Sequence, residues 1–154
     1  MALARLEREE ALGQVRWLAG VLARRGMPSL LLERQLDLLA AELPAGEGSA
    51  AAELCAAAAG HLRETRGGAL GDADAARLAS VFENATGHGT AAGRHEAARV
   101  LLAAAADEVS GLPGTVEAVA SWYRERPLPD DWRRAVDGLL RDALPGTFPG
   151  GSGG

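Results

Sequence analysis

The chain has 154 residues, a net charge of −5 and hydrophobic residues at 47%, which fits one domain able to bury a core without staples. All 16 basic residues are arginine, and the acidic balance lacks the concentrated basic patch that phosphates need, so no nucleic-acid partner is expected. Cys55 is the single cysteine, which excludes an internal disulfide and a four-thiolate metal site.

Helix signals begin at the N-terminus, where Leu3, Leu6, Leu12, Val15, Leu18 and Leu22 recur at three- and four-residue steps. Arg24 and Arg25 suit the negative end of that helix, and Gly26 can take the left-handed position that closes it. Pro28 fits the first turn of a second helix, with Leu32, Leu36, Leu39 and Leu43 as its stripe, Leu31 and Leu38 widening it, and Pro44 as its stop. Glu33, Arg34, Asp37, Ala41 and Glu42 are expected to form its narrow wet strip. Pro44 to Ser49 is a loop, and Ser49 caps a third helix that carries Leu54, Ala58 and Leu62 and ends before Gly67-Gly68. Asp72 caps a fourth, with Ala75, Leu78, Ala79 and Phe82 on its apolar side. The run from Thr86 to Thr90 breaks the pattern. A fifth helix follows from Ala92 to Ser110; its alanines allow close approach, which places it centrally. After a turn over Gly111 to Thr115, a short sixth helix bears Val116, Val119, Ala120 and Tyr123. Pro127-Leu128-Pro129 breaks again, Asp130 caps, and Trp132, Val136, Leu139, Leu140 and Leu144 mark the seventh.

Seven helices and no strand predict an all-α fold, as a helical bundle or a globin-like packing. One helical domain is expected over residues 1–145, followed by a flexible Gly/Pro-rich tail at 146–154. A duplicated helical hairpin is a further possibility, because Pro28 and Pro44 are spaced as Pro129 and Pro145 are. Leu31, Leu39 and Leu43 then match Trp132, Leu140 and Leu144; the alternative is chance likeness of two leucine-rich helices. The apolar runs are too short for a membrane span. The charged N-terminus lacks the features of a secretion signal, so a cytoplasmic protein is expected. Lysine and isoleucine are absent and Asn84 is the only asparagine, a codon bias that points to a GC-rich bacterial genome rather than to chemistry.

Trp17-Leu18, Leu22, Arg25-Gly26, Pro28, Leu32, Leu36, Leu39 and Leu43 resemble a helical module of bacterial sensor regulators. That module is a globin-like or bundle domain, sometimes placed ahead of a vitamin B12-binding domain. The resemblance covers the first third of the chain and implies a sensory or partner-binding helical domain. The cobalamin-ligating pattern Asp-x-His-x-x-Gly is absent, so it implies no cobalamin half.

Few residues offer chemistry at neutral pH. Histidines stand at 61, 88 and 95 only. His95-Glu96 opens HEAAR, but Arg99 occupies the place of the second imidazole that a zinc-protease helix requires. His61, seven residues after Leu54, falls toward the apolar face of its helix, as a satisfied core histidine or as a tetrapyrrole ligand. His88 stands between two glycines in the one glycine-rich loop long enough to hold a site. Nucleophile elbows, phosphate loops and dinucleotide fingerprints are all missing, no metal site is predicted, and no cofactor is implied.

What remains is apolar surface. The second helix has leucine at 30, 31, 32, 36, 38, 39 and 43, wider than the stripe of an ordinary surface helix. Leu30, Leu31 and Leu38, with Trp17 and Trp132 of two arginine–tryptophan clusters, are the candidate interface residues. The expected function is a non-enzymatic helical regulatory or protein-interaction domain, a homodimer or the dock of a protein partner. Two alternatives stay open. One is a small-molecule, tetrapyrrole-like sensor with its ligand between helices near His61 or His88. The other is an enzyme of unfamiliar type using His88, His95 and Glu83.

Overall fold

A computed structural model describes the backbone of residues 2–43 and 49–144 and the side chains there from residue 7 onward. The loop at 44–48, the tail at 146–154 and the side chains of Leu3 and Leu6 lie outside the described residues. Those residues form seven α-helices and no strand: α1 (Ala2–Ala23), α2 (Ser29–Glu42), α3 (Ser49–Gly67), α4 (Asp72–Ala85), α5 (Ala91–Val109), α6 (Thr115–Arg124) and α7 (Asp130–Ala143). None of them is long and apolar enough to cross a membrane.

The helix ends have local causes. Gly26 takes φ +78, and the bonds Met27 N–H to Leu22 O and Gly26 N–H to Ala23 O satisfy the last carbonyls of α1. Gly111, φ +102, closes α5 in the same manner, with Leu112 N–H donating to Asp107 O. Four starts differ from the expected ones by one residue. Gly71 and Pro129 are the N-caps, so Asp72 and Asp130 are first helical residues, where their charge still favours the helix dipole. Thr90 caps α5, its hydroxyl accepting from Gly93 N–H at 3.0 Å, so α5 begins at Ala91. Pro28 is likewise an N-cap rather than a first-turn residue.

The fifth helix is the axis of the fold, packing against α2, α3, α4, α6 and α7. Its buried residues run almost all round, from Ala97 to Asp107, the pattern of a helix enclosed by others. One side, with Leu101, joins Leu78, Phe82, Val119, Leu140 and Leu144 in a core made by α4 to α7. Ala103 and Ala106 fall outside that core and line a groove with Leu30 of α2 and Arg63 and Arg66 of α3. The second and third helices form an antiparallel hairpin: Ser29 meets Arg66, and Glu33 and Asp37 meet Arg63.

Candidate functional site

Beneath the α2–α3 hairpin lies a charged lock. Pro28, the N-cap of α2, supplies no side-chain bond to the first N–H groups of the helix. Asp107 supplies one from α5: its Oδ2 accepts Ser29 N–H at 2.6 Å and its Oδ1 accepts the Ser29 hydroxyl at 2.5 Å. Arg66 donates from Nη1 to Ser29 Oγ at 2.9 Å and from Nη2 to Glu33. Arg63 donates from Nε to Glu33 Oε1 at 3.0 Å and from Nη2 to Asp37 Oδ2 at 2.7 Å. Arg34 grips Glu96 of α5 with both terminal nitrogens, a forked geometry that fixes orientation as well as charge. Burial pushes the Asp107 carboxyl above its ordinary value, while the Ser29 bonds and the Arg66 charge pull the other way.

This lock sets the rotation of α2, and it overturns two expectations. Glu33, expected on the wet strip, is 6% exposed, because Arg63 and Arg66 reach it from α3. Leu30, expected on the outer face, is 5% exposed, because that rotation turns it into the groove with Ala103 and Ala106. Leu31, Leu38 and Leu39 face outward instead, and Leu38 is 57% exposed.

Above the lock a pocket of about 250 Å³ opens between α1, α3 and the α5–α6 turn. Ala19, Ser29, Leu62 and Asp107 line it as buried residues, Thr65 and Ser110 add hydroxyls, and Arg16 and Trp17 stand exposed around it. Trp17 is 66% exposed, so of the two tryptophans expected at an interface it presents most of its ring to solvent.

Trp132, the other, is committed within the chain. Its ring meets Phe82 edge-on at 5.5 Å between centroids, and its indole N–H donates to His88 O at 2.9 Å. The His88 loop is therefore tied to α7. Asp131 Oδ2 accepts Gly87 N–H at 2.7 Å and lies 3.2 Å from His88 Nδ1. Those two bonds, the first the stronger influence, draw the Asp131 carboxyl down to about 2. His95 Nδ1 lies 2.8 Å from Glu83 Oε1, so two of the three residues of the enzyme alternative meet, while His88 pairs elsewhere. No Ser, Thr or Cys side chain bonds to either ring among the described residues. His61 is half-buried on α3, and its Nε2 is covered without a hydrogen-bond partner. His61 and His88 thus lie in separate places, and neither lines the pocket. Among the described residues no group of three or more His, Cys, Asp or Glu could hold a metal ion.

The lock was missed by sequence reasoning, although one signal was present. Asp107 follows Ala103 and Ala104 by four and three residues, so it shares the face of closely packed alanines. Comparison with protein-family models, curated proteins and solved structures finds no match for this all-α bundle.

Proposed function

We propose that this chain is a non-enzymatic helical interaction domain that pairs with a second copy of itself through the outer face of α2. The observation that carries the reading is the inversion of that helix: a glutamate turned inward, and Leu31, Leu38 and Leu39 turned outward. Four ion pairs hold the rotation, so the helix cannot roll these leucines into its own core without breaking charged contacts. Positions 31, 35, 38 and 42 share one face of a helix, which gives a strip of Leu31, Gln35, Leu38 and Glu42 with Leu39 alongside. A strip of leucines with polar residues among them suits a two-fold contact, in which Leu31 of each copy can meet Leu38 of the other.

Covering a half-exposed leucine is worth about 1 kcal/mol at about 25 cal/mol per Å². Three such leucines in each copy, set against the cost of association, make a reversible, concentration-dependent pair rather than an obligate dimer. Sedimentation velocity over a concentration series tests this. The wild type should shift from monomer toward dimer, and Leu31→Glu with Leu38→Glu should remain monomeric, equally helical and equally stable. A wild type that stays monomeric into the millimolar range would exclude the reading. So would a double variant that unfolds, because these leucines would then belong to the core.

A further inference from the structure

The pocket above the Ser29–Asp107 lock has a built floor, and its hydrogen-bonding groups are unevenly used. Two groups of acceptors lie beside it, and both have their hydrogen bonds filled inside the chain. Asp107 is 1% exposed and accepts both Ser29 donors. The closing carbonyls of α5 accept from Leu112 N–H, Ser110 N–H and the Ser110 hydroxyl. The donors are filled less completely. Arg66 uses one N–H on Ser29 and one on Glu33, out of the five a guanidinium carries. Those two contacts hold it in a fixed pose at the wall. Arg16 lines the same pocket, is exposed, and makes no ion pair among the described residues.

The remaining lining selects shape. Leu62 and Leu112 offer apolar walls, and the largely exposed indole of Trp17 offers a flat face. A volume of about 250 Å³ lies just below the range of about 300–1,000 Å³ for drug-sized ligands, so the occupant is small. Guanidinium groups match planar oxyanions and stack with aromatic systems.

We propose that this pocket binds a small organic anion with a flat apolar body, its carboxylate held by Arg16 and Arg66 and its ring laid against Trp17. The site is separate from the outer face of α2, so it stands whether or not that face pairs two copies. It also differs from both histidine positions expected from the sequence.

Isothermal titration with 2-naphthoate, and with 2-naphthylmethylammonium as the same ring under opposite charge, tests the inference. The naphthoate is expected to bind saturably at one site per chain, at least about tenfold tighter than the ammonium. Arg16→Gln should weaken the naphthoate about tenfold and leave the melting temperature unchanged, because Arg16 is exposed and has no ion pair among the described residues. Arg66 is a poorer test residue, since its loss also strips Glu33 of a partner. Trp17→Ala should weaken binding as well, and Leu31→Glu with Leu38→Glu should leave it intact. The inference fails if 2-naphthoate shows no saturable binding up to millimolar concentration, or if the ammonium binds as tightly. It fails equally if Arg16→Gln and Trp17→Ala both bind like the wild type, or if binding disappears with the two α2 leucines.

Discussion

α2 and α7 are built on one local plan and used in opposite ways. Each has 14 residues and a proline N-cap, Pro28 at ψ 156 and Pro129 at ψ 153. Leu39 and Leu43 of one match Leu140 and Leu144 of the other. Yet Leu39 is 40% exposed and Leu140 1%. The likeness stops at these helices, because α1 before the first has 22 residues and α6 before the second has 10. In α7 the apolar side chains Ala135, Val136, Leu139, Leu140 and Ala143 are buried, and the charged ones other than Asp131 are exposed. In α2 leucine lies on every side, so hydrophobicity cannot choose the inward face, and ion pairs to α3 and α5 choose it instead. A capping proline fixes where a helix starts and in what direction it leaves. Burial is a separate decision, taken by the partner helices.

The largest test of that contrast is truncation of the matched leucines. Leu140→Ala should cost about 2–5 kcal/mol in urea unfolding, as a fully buried leucine in a packed core does. Leu39→Ala should stay within about 0.5 kcal/mol at concentrations where the chain is monomeric. Equal losses would mean that α2 is packed as α7 is, and the contrast would fail. Next in size is the lock itself. Glu33→Ala leaves Arg66, only 13% exposed, without its carboxylate, and breaking such a pair should cost about 3 kcal/mol. Glu33→Leu with Arg66→Leu should recover most of that loss, because well-packed apolar side chains replace a buried pair at little cost. A double variant no more stable than Glu33→Ala would show that the lock contributes more than a paired charge.

The class of fold was legible because each helix carries its own stop. Gly26, Pro28 and Pro129 act within a few residues of where they stand, and the alanines of α5 announce close packing on their own. The inward face of α2 was not legible. Glu33 looks like a solvated residue until Arg63 and Arg66 arrive from 30 and 33 positions away, and Ser29 meets its carboxylate across 78. The candidate site divides along the same line. Trp17, Leu31 and Leu38 stood out as apolar surface, and Arg16 stood beside Trp17 in the sequence. Asp107 and Arg66 acquire meaning only from partners that no local pattern names. Trp132 drew notice as an interface residue, but its partners Phe82 and His88 lie 50 and 44 positions earlier in the chain and give it an internal task.

The smallest expected effect sharpens the comparison most, because each helix has an acid at its N-terminal end, one its own and one from α5, and the two acids should titrate with opposite sign. Asp131 belongs to α7 itself, and its carboxyl is drawn from 3.8 to about 2. The folded state then releases that proton more readily than the unfolded chain does. Its stabilisation is present above the unfolded value and is lost as pH falls from 3.8 toward about 2. Asp107 reaches α2 from another helix, and burial raises its carboxyl above 3.8. Here the folded state holds the proton more tightly, so stability is highest below 3.8 and falls as pH rises through the raised value. Subtracting each variant's pH profile from the wild type's removes the other carboxylates, which are common to both. Urea midpoints for Asp131→Asn should therefore differ from the wild type by an amount that shrinks as pH falls toward 2. The Asp107→Asn difference should move toward the variant as pH rises above 3.8, since asparagine can still accept Ser29 N–H while carrying no buried charge. Two difference curves with the same sign of slope would mean that the Asp107 charge is as well accommodated as that of Asp131, and that α2 is not held by a carboxylate under strain of burial.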